Sequence, residues 1–180
     1  MLKLQEIHRT ANFSIYCRGE DSYFVSTGDH FLIVPLTATG EVIFTRQASP
    51  AFDDDVWMLP YGTCHQPFIT NNTVKNKLLC SVGWQAEKLT MLTMLRPWAT
   101  SLRMRMFIYL AQNLVCSNRH QAHQSAVSHF PLHQFETLTE SGQLLDSNVI
   151  AALYLARHYL SQYPLRRNLP EVQIQGPEND

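Results

Sequence analysis

The sequence predicts a single mixed α/β domain, and three observations carry the prediction. Short alternating apolar runs with turn residues between them fill the first sixty positions. One loop-helix unit with a start signal and a stop signal occupies the middle. A second capped helix closes the ordered part of the chain, with the domain expected over residues 1–163 and a polar tail over 164–180.

In chain order, residues 13–17 (FSIYC) and 23–27 (YFVST) alternate around Gly19-Glu20-Asp21 and read as a hairpin. Residues 30–36 and 41–46, flanking Thr37-Ala38-Thr39-Gly40, read as core strands. Asp53, Asp54 and Asp55 follow in a loop. Three adjacent carboxylates can in principle recruit a cation, but such a run also describes a solvated turn. From Trp57 the chain is expected to run as a strand, turn at Pro60-Tyr61-Gly62, and form a helix over residues 70–82. Thr70, Asn71 and Asn72 are candidate N-caps, Val74, Leu78 and Val82 recur every four positions as a buried stripe, and Gly83 supplies the left-handed stop.

Residues 89–95 and 104–110 read as strands separated by Arg96-Pro97-Trp98-Ala99-Thr100-Ser101. Residues 116–133 are rich in histidine: His120, His123, His129 and His133. The Cys116, His120 and His123 spacing suits a soft metal, yet a structural site wants four ligands, and a polar loop is the competing reading. A final helix is expected over 149–162, capped by Asp146 or Ser147, with Ile150, Leu153, Tyr154 and Leu160 on its apolar side. The tail beyond it is polar, proline-bearing and expected to be mobile.

Composition bounds the function classes. With 45% apolar and 16% charged residues in 180, the chain is an ordinary globular protein long enough for one core. Its net charge of −1 hides an asymmetry: residues 56–135 hold seven basic side chains against Glu87 alone, a net +6, while the flanks carry −7. That distribution favours an anionic ligand near the middle of the chain, against the plainer reading of solvated surface charge. Cys17, Cys64, Cys80 and Cys116 show no paired pattern, and the opening residues lack the apolar core of a signal peptide. No run approaches the roughly 18 apolar residues of a membrane span. A reducing, cytoplasmic setting is expected.

The stretch from Gly62 to Trp84 resembles the box of the Nudix pyrophosphohydrolases, which reads Gly, five residues, Glu, seven residues, then Arg-Glu-apolar-any-Glu-Glu-any-Gly-apolar. Gly62 matches the first glycine, Leu78 the apolar position and Gly83-Trp84 the closing pair. Phe68 stands for the first Glu, Asn76 for the Arg, Lys77 for the next Glu, and Cys80 and Ser81 for the Glu pair that holds metal. Trp57-Met58-Leu59-Pro60-Tyr61-Gly62 is similar to the Leu-Glu-Leu-Pro-Ala-Gly entry of the ADP-ribose pyrophosphatase branch, with Met58 in place of its Glu. FLIVPLTATGEVIFTRQ resembles that branch's central hairpin, keeping Arg46-Gln47 but with Ser49 for a second Arg. Trp98 stands where the family has the glycine of a ligand-touching loop. Histidines replace acidic residues in 116–133. Ser141 to Asp146 matches the family's entry to its last helix, so the likeness runs over residues 13–163.

The resemblance implies a Nudix-like α/β/α sandwich with a mixed sheet, an N-terminal β-hairpin and a C-terminal helix. It also implies a homodimer in which strands within residues 1–29 reach the partner. The substitutions lead to a first expectation: a non-catalytic module that binds a nucleotide or another phosphate-bearing ligand and needs no metal or other cofactor. Its candidate contacts are Arg46, Gln47, Lys77, Trp98, Arg103 and Arg105. Trp98 is expected to narrow the pocket or offer a stacking face, or else to pack in the core. The alternative is a divergent hydrolase of ADP-ribose or another nucleoside-diphosphate sugar, with magnesium or manganese on Asp53, Asp54, Asp55, Glu87 or the histidines. A metal-free enzyme using Cys64 or His65 is a third, remoter reading. Nucleic acid is a further partner class that no motif supports, there being no helix-turn-helix unit.

Overall fold

The computed structural model describes residues 3–64, 69–117 and 127–163. The expectations placed on His65, Phe68, Arg119, His120, His123 and the tail 164–180 lie outside the described residues. Within them, three sheets and three α-helices form a layered α/β domain.

The first sheet is a meander of β1 (Leu4–Arg9), β2 (Phe13–Arg18) and β3 (Ser22–Thr27), joined in parallel by the two-residue β9 (Leu102–Arg103). β2 and β3 form the expected hairpin, in register from Phe13↔Thr27 to Arg18↔Ser22, with Gly19 at φ 76° in the connection. β1 escaped the sequence reading because all six of its residues are exposed, so no buried face imposes an alternation.

The central sheet has the order β7-β4-β10-β8, built from β4 (Asp29–Pro35), β7 (Tyr61–Cys64), β8 (Trp84–Leu95) and β10 (Met106–Cys116). β4 and β10 run parallel, while β7 and β8 are antiparallel to them. The third sheet is antiparallel, with β5 (Glu41–Ser49) between β11 (Val127–Pro131) and β6 (Asp54–Met58). The strands expected at 30–36 and 41–46 are therefore present, but as a hairpin they meet only at the bridge Leu36↔Val42. β4 is buried on both faces through FLIVP, the property of an inner strand, and it is hydrogen-bonded along both edges by β7 and β10.

Alternation along β4 divides the core in two. Phe31 and Ile33 join Ile43, Tyr109 and Ala111 beneath α1 (Asn71–Val82), whose Val74, Leu78 and Val82 complete that cluster. Leu32 and Val34 join Ile108, Leu110, Val42 and Phe44 on the opposite face, covered by α3 (Ser147–Gln162). Helix, sheet and helix thus form the expected sandwich.

The helix ends follow the capping chemistry. Thr70 Oγ1 accepts from Thr73 N at 3.2 Å, and Gly83, at φ 77°, donates its N–H to Leu79 O at 2.8 Å. Asp146 Oδ1 accepts from Asn148 N and Val149 N, both at 2.9 Å. The buried stripe of α3 is Val149, Ala152, Leu153 and Ala156, which corrects the expected one. Two alanines let the helix lie close to the sheet. Ile150 and Leu160 pack at the rim, and Tyr154 turns outward to donate to Glu136 Oε1 at 2.9 Å, on the short helix α2 (Phe135–Glu140).

The turn expected at Pro60-Tyr61-Gly62 is also corrected. The chain passes from β6 to β7 at Leu59-Pro60, and Tyr61 and Gly62 already belong to β7, opposite Leu32 and Phe31. Gly62 is needed for space, since a Cβ there would stand 2.5 Å from Cζ of the buried Phe31 ring. No helix among the described residues is long and apolar enough to cross a membrane.

Candidate anion-binding site

The N-terminal sheet meets the rest of the molecule where β3 pairs with β9, at Val25↔Leu102 and Ser26↔Arg103. The chain reaches β9 through a tight turn at Trp98, which sits at φ 48° and whose carbonyl accepts from Ser101 N (2.9 Å) and Leu102 N (2.8 Å). Positive φ is unusual for a bulky residue. Trp98 is 78% exposed, so it is not a core side chain.

Between β2–β3 and the segment 96–105 lies an open cleft of about 610 Å³. Arg18, Arg96, Arg103 and Arg105 line it, with Asp29 as the one carboxylate among its lining residues. Each arginine is held differently. The Arg103 guanidinium lies 4.7 Å from the centre of the Tyr16 ring and 5.3 Å from that of Phe24, rings that are themselves stacked, and its Nε donates to Ser26 Oγ at 2.9 Å. Arg105 makes a two-pronged pair with Asp29, Nε to Oδ1 at 2.9 Å and Nη2 to Oδ2. Hydrogen bonding to Asp29, then its charge, holds the Arg105 guanidinium above its ordinary pKa. The side chains of Arg18 and Arg96 make no hydrogen bond or ion pair among the described residues.

The six expected contact residues fall in separate places. Arg103 and Arg105 share the cleft, and Trp98 belongs to the turn whose Arg96, Ala99 and Thr100 line it. Arg46 and Gln47 lie on β5. Arg46 Nε is 3.3 Å from Asp55 Oδ2 with its guanidinium 5.8 Å from the centre of the Trp57 ring, and Gln47 Nε2 donates to Thr45 Oγ1 at 2.9 Å. Lys77 stands on the exposed face of α1, with Nζ 6.0 Å from the Tyr61 ring centre. No residue of α1, β5 or β6 lines the cleft.

Sequence reasoning did not single out Arg18, which is far from the basic middle segment. It counted Arg96 only as charge. A cation on the strand of a predicted hairpin gives no periodic signal, and the β3–β9 pairing that brings it close is non-local.

The acidic residues are dispersed. Asp53, at φ 51°, with Asp54 and Asp55, lines a separate shallow depression of about 380 Å³. Glu87 is exposed on β8, where its backbone carbonyl accepts from Lys75 Nζ at 3.3 Å. Cys116 ends β10, His129 lies on β11 with its ring 6.3 Å from that of Trp84, and His133 lies in the 3₁₀ turn Leu132–Gln134. Among the described residues no three His, Cys, Asp or Glu side chains converge as a metal set.

No protein-family model matches the chain, and no curated protein sequence matches it significantly. Solved structures do match. A protein described as an ADP compounds hydrolase superposes with a TM-score of 0.75 at 19% identity, over 91% of this chain and 94% of its own. The fold is Nudix-like. At that identity the likeness concerns architecture alone. The shared architecture nevertheless gives the surfaces just described a common reference: the helix α1 over one face of the central sheet, and an N-terminal sheet whose junction with the frame is the arginine cleft.

Proposed function

We propose that this Nudix-like protein binds a nucleotide or another phosphate-bearing small molecule without hydrolysing it. The outer face of α1 carries the reading. With Val74, Leu78 and Val82 turned inward, the exposed positions include Asn76, Lys77 and Cys80, and α1 contains no Asp or Glu. A hard divalent cation needs oxygen ligands, and a lysine ammonium repels it. Arginines bind phosphate oxygens directly and need no metal between. The same reading has the chain acting as a cytoplasmic homodimer, with β1, exposed along its whole length, available to a second copy.

The likeness to a protein named as a hydrolase of ADP compounds supports a second reading, hydrolysis of ADP-ribose with magnesium or manganese held away from α1. One pair of measurements separates the two. Incubation with ADP-ribose and either metal is expected to release no AMP, while ADP in the presence of a chelator is expected to raise the melting temperature. AMP release abolished by Asp54→Asn or Glu87→Gln would replace the first reading with the second.

A further inference from the structure

We infer that the cleft between β2–β3 and the segment 96–105 is an oligophosphate site, taking a chain of three or more negative charges. The inference rests on the proposed binding function and gives it a place and a ligand chemistry. Four guanidinium groups and one carboxylate leave the lining at +3. Since Asp29 is already matched to Arg105, the three remaining cations have no counter-charge among the described residues that line the cleft. Like charges kept together without an anion repel one another, and a bound polyanion removes that cost.

The cleft is also pre-organised. Arg103 is held by two aromatic faces and a serine hydroxyl, which fix its position while consuming only one of its five N–H donors. Arg18 and Arg96 stand on opposite walls, one ending β2 and one following β8, with their donors uncommitted among the described residues. Hydroxyls of Ser22 and Thr100 add neutral donors that suit phosphate oxygens. The volume of about 610 Å³ falls within the roughly 300–1,000 Å³ of small-molecule sites. An oligophosphate can be free or carried by a nucleoside, and the arginines would read the chain in both cases.

Calorimetric titration of the full chain in chelator tests this, with inorganic tripolyphosphate, ATP and AMP as probes. Tripolyphosphate and ATP are expected to bind more tightly than AMP. Equal affinity for the first two assigns a free chain, and a preference for ATP assigns a nucleotide-borne one. Arg18→Ala with Arg96→Ala is expected to weaken tripolyphosphate on the order of tenfold or more, because hydrogen bonds to charged groups are the strong ones. An unchanged affinity in that double variant, or AMP binding as tightly as tripolyphosphate, overturns the site. If Lys77→Glu abolishes binding while the arginine variant retains it, the ligand belongs to α1, and the cleft fails while the binding function stands. If no probe binds the wild-type chain, the binding function fails as well.

Discussion

The helix α1 and the arginine cleft are built on opposite terms. α1 is locked from within: its three inward residues are at most 5% exposed, both ends are capped, and Phe31 of the cluster beneath it fills the space a Cβ would take at Gly62 on β7. Its outward positions touch little. The cleft is organised by polar and aromatic contacts at the surface, where Arg103 and Arg105 are placed by Tyr16, Phe24, Ser26 and Asp29 and two further arginines are left uncommitted. Where packing constrains a residue, the space around it dictates glycine or an apolar side chain. Where solvent surrounds it, the fold tolerates many side chains.

Substitutions sharpen that contrast. Leu78→Ala, at a fully buried position, is expected to lower stability by about 2–5 kcal/mol in chemical denaturation. A loss below about 1 kcal/mol would mean that α1 is not locked as described. Gly62→Ala is expected to cost about 1–3 kcal/mol, because the new methyl group meets a ring that the cluster around it holds in place. Retained stability would show that Phe31 can swing aside. Thr70→Ala removes the side-chain cap and is expected to cost about 1 kcal/mol, measured the same way. Arg96→Ala should change the stability of the unliganded protein by no more than about 0.5 kcal/mol. A larger loss would make Arg96 part of the frame, and the contrast between the two regions would break.

Residues 57–84 show how far local reasoning reaches. Thr70 as cap, the Val74-Leu78-Val82 stripe and the Gly83 stop are one-turn relationships, and each is found as expected. The turn at Pro60-Tyr61-Gly62 was misplaced because glycine after proline is ordinary turn chemistry, whereas here the glycine answers to a ring on β4. On α3 the apolar side was assigned to the bulkiest residues. The buried positions instead include two alanines, because closeness to the sheet selects small side chains there.

The six proposed contacts were gathered by charge and by likeness to a family, neither of which carries distance. The fold distributes them over β5, α1 and the segment 96–105, and joins two of them to Arg18, an arginine from the N-terminal hairpin.

Periodicity, caps and charge asymmetry, all readable along the chain, determined the β2–β3 hairpin, the core strands β4 and β5, the two long helices, the apolar stripe of α1 and the basic character of the middle segment. Only the tertiary structure decided that β4 and β5 part company, that Gly62 makes room for Phe31, and that arginines on β2 and the segment 96–105 line one cleft. Those outcomes depend on contacts between positions far apart in sequence, and such contacts leave no local pattern to read.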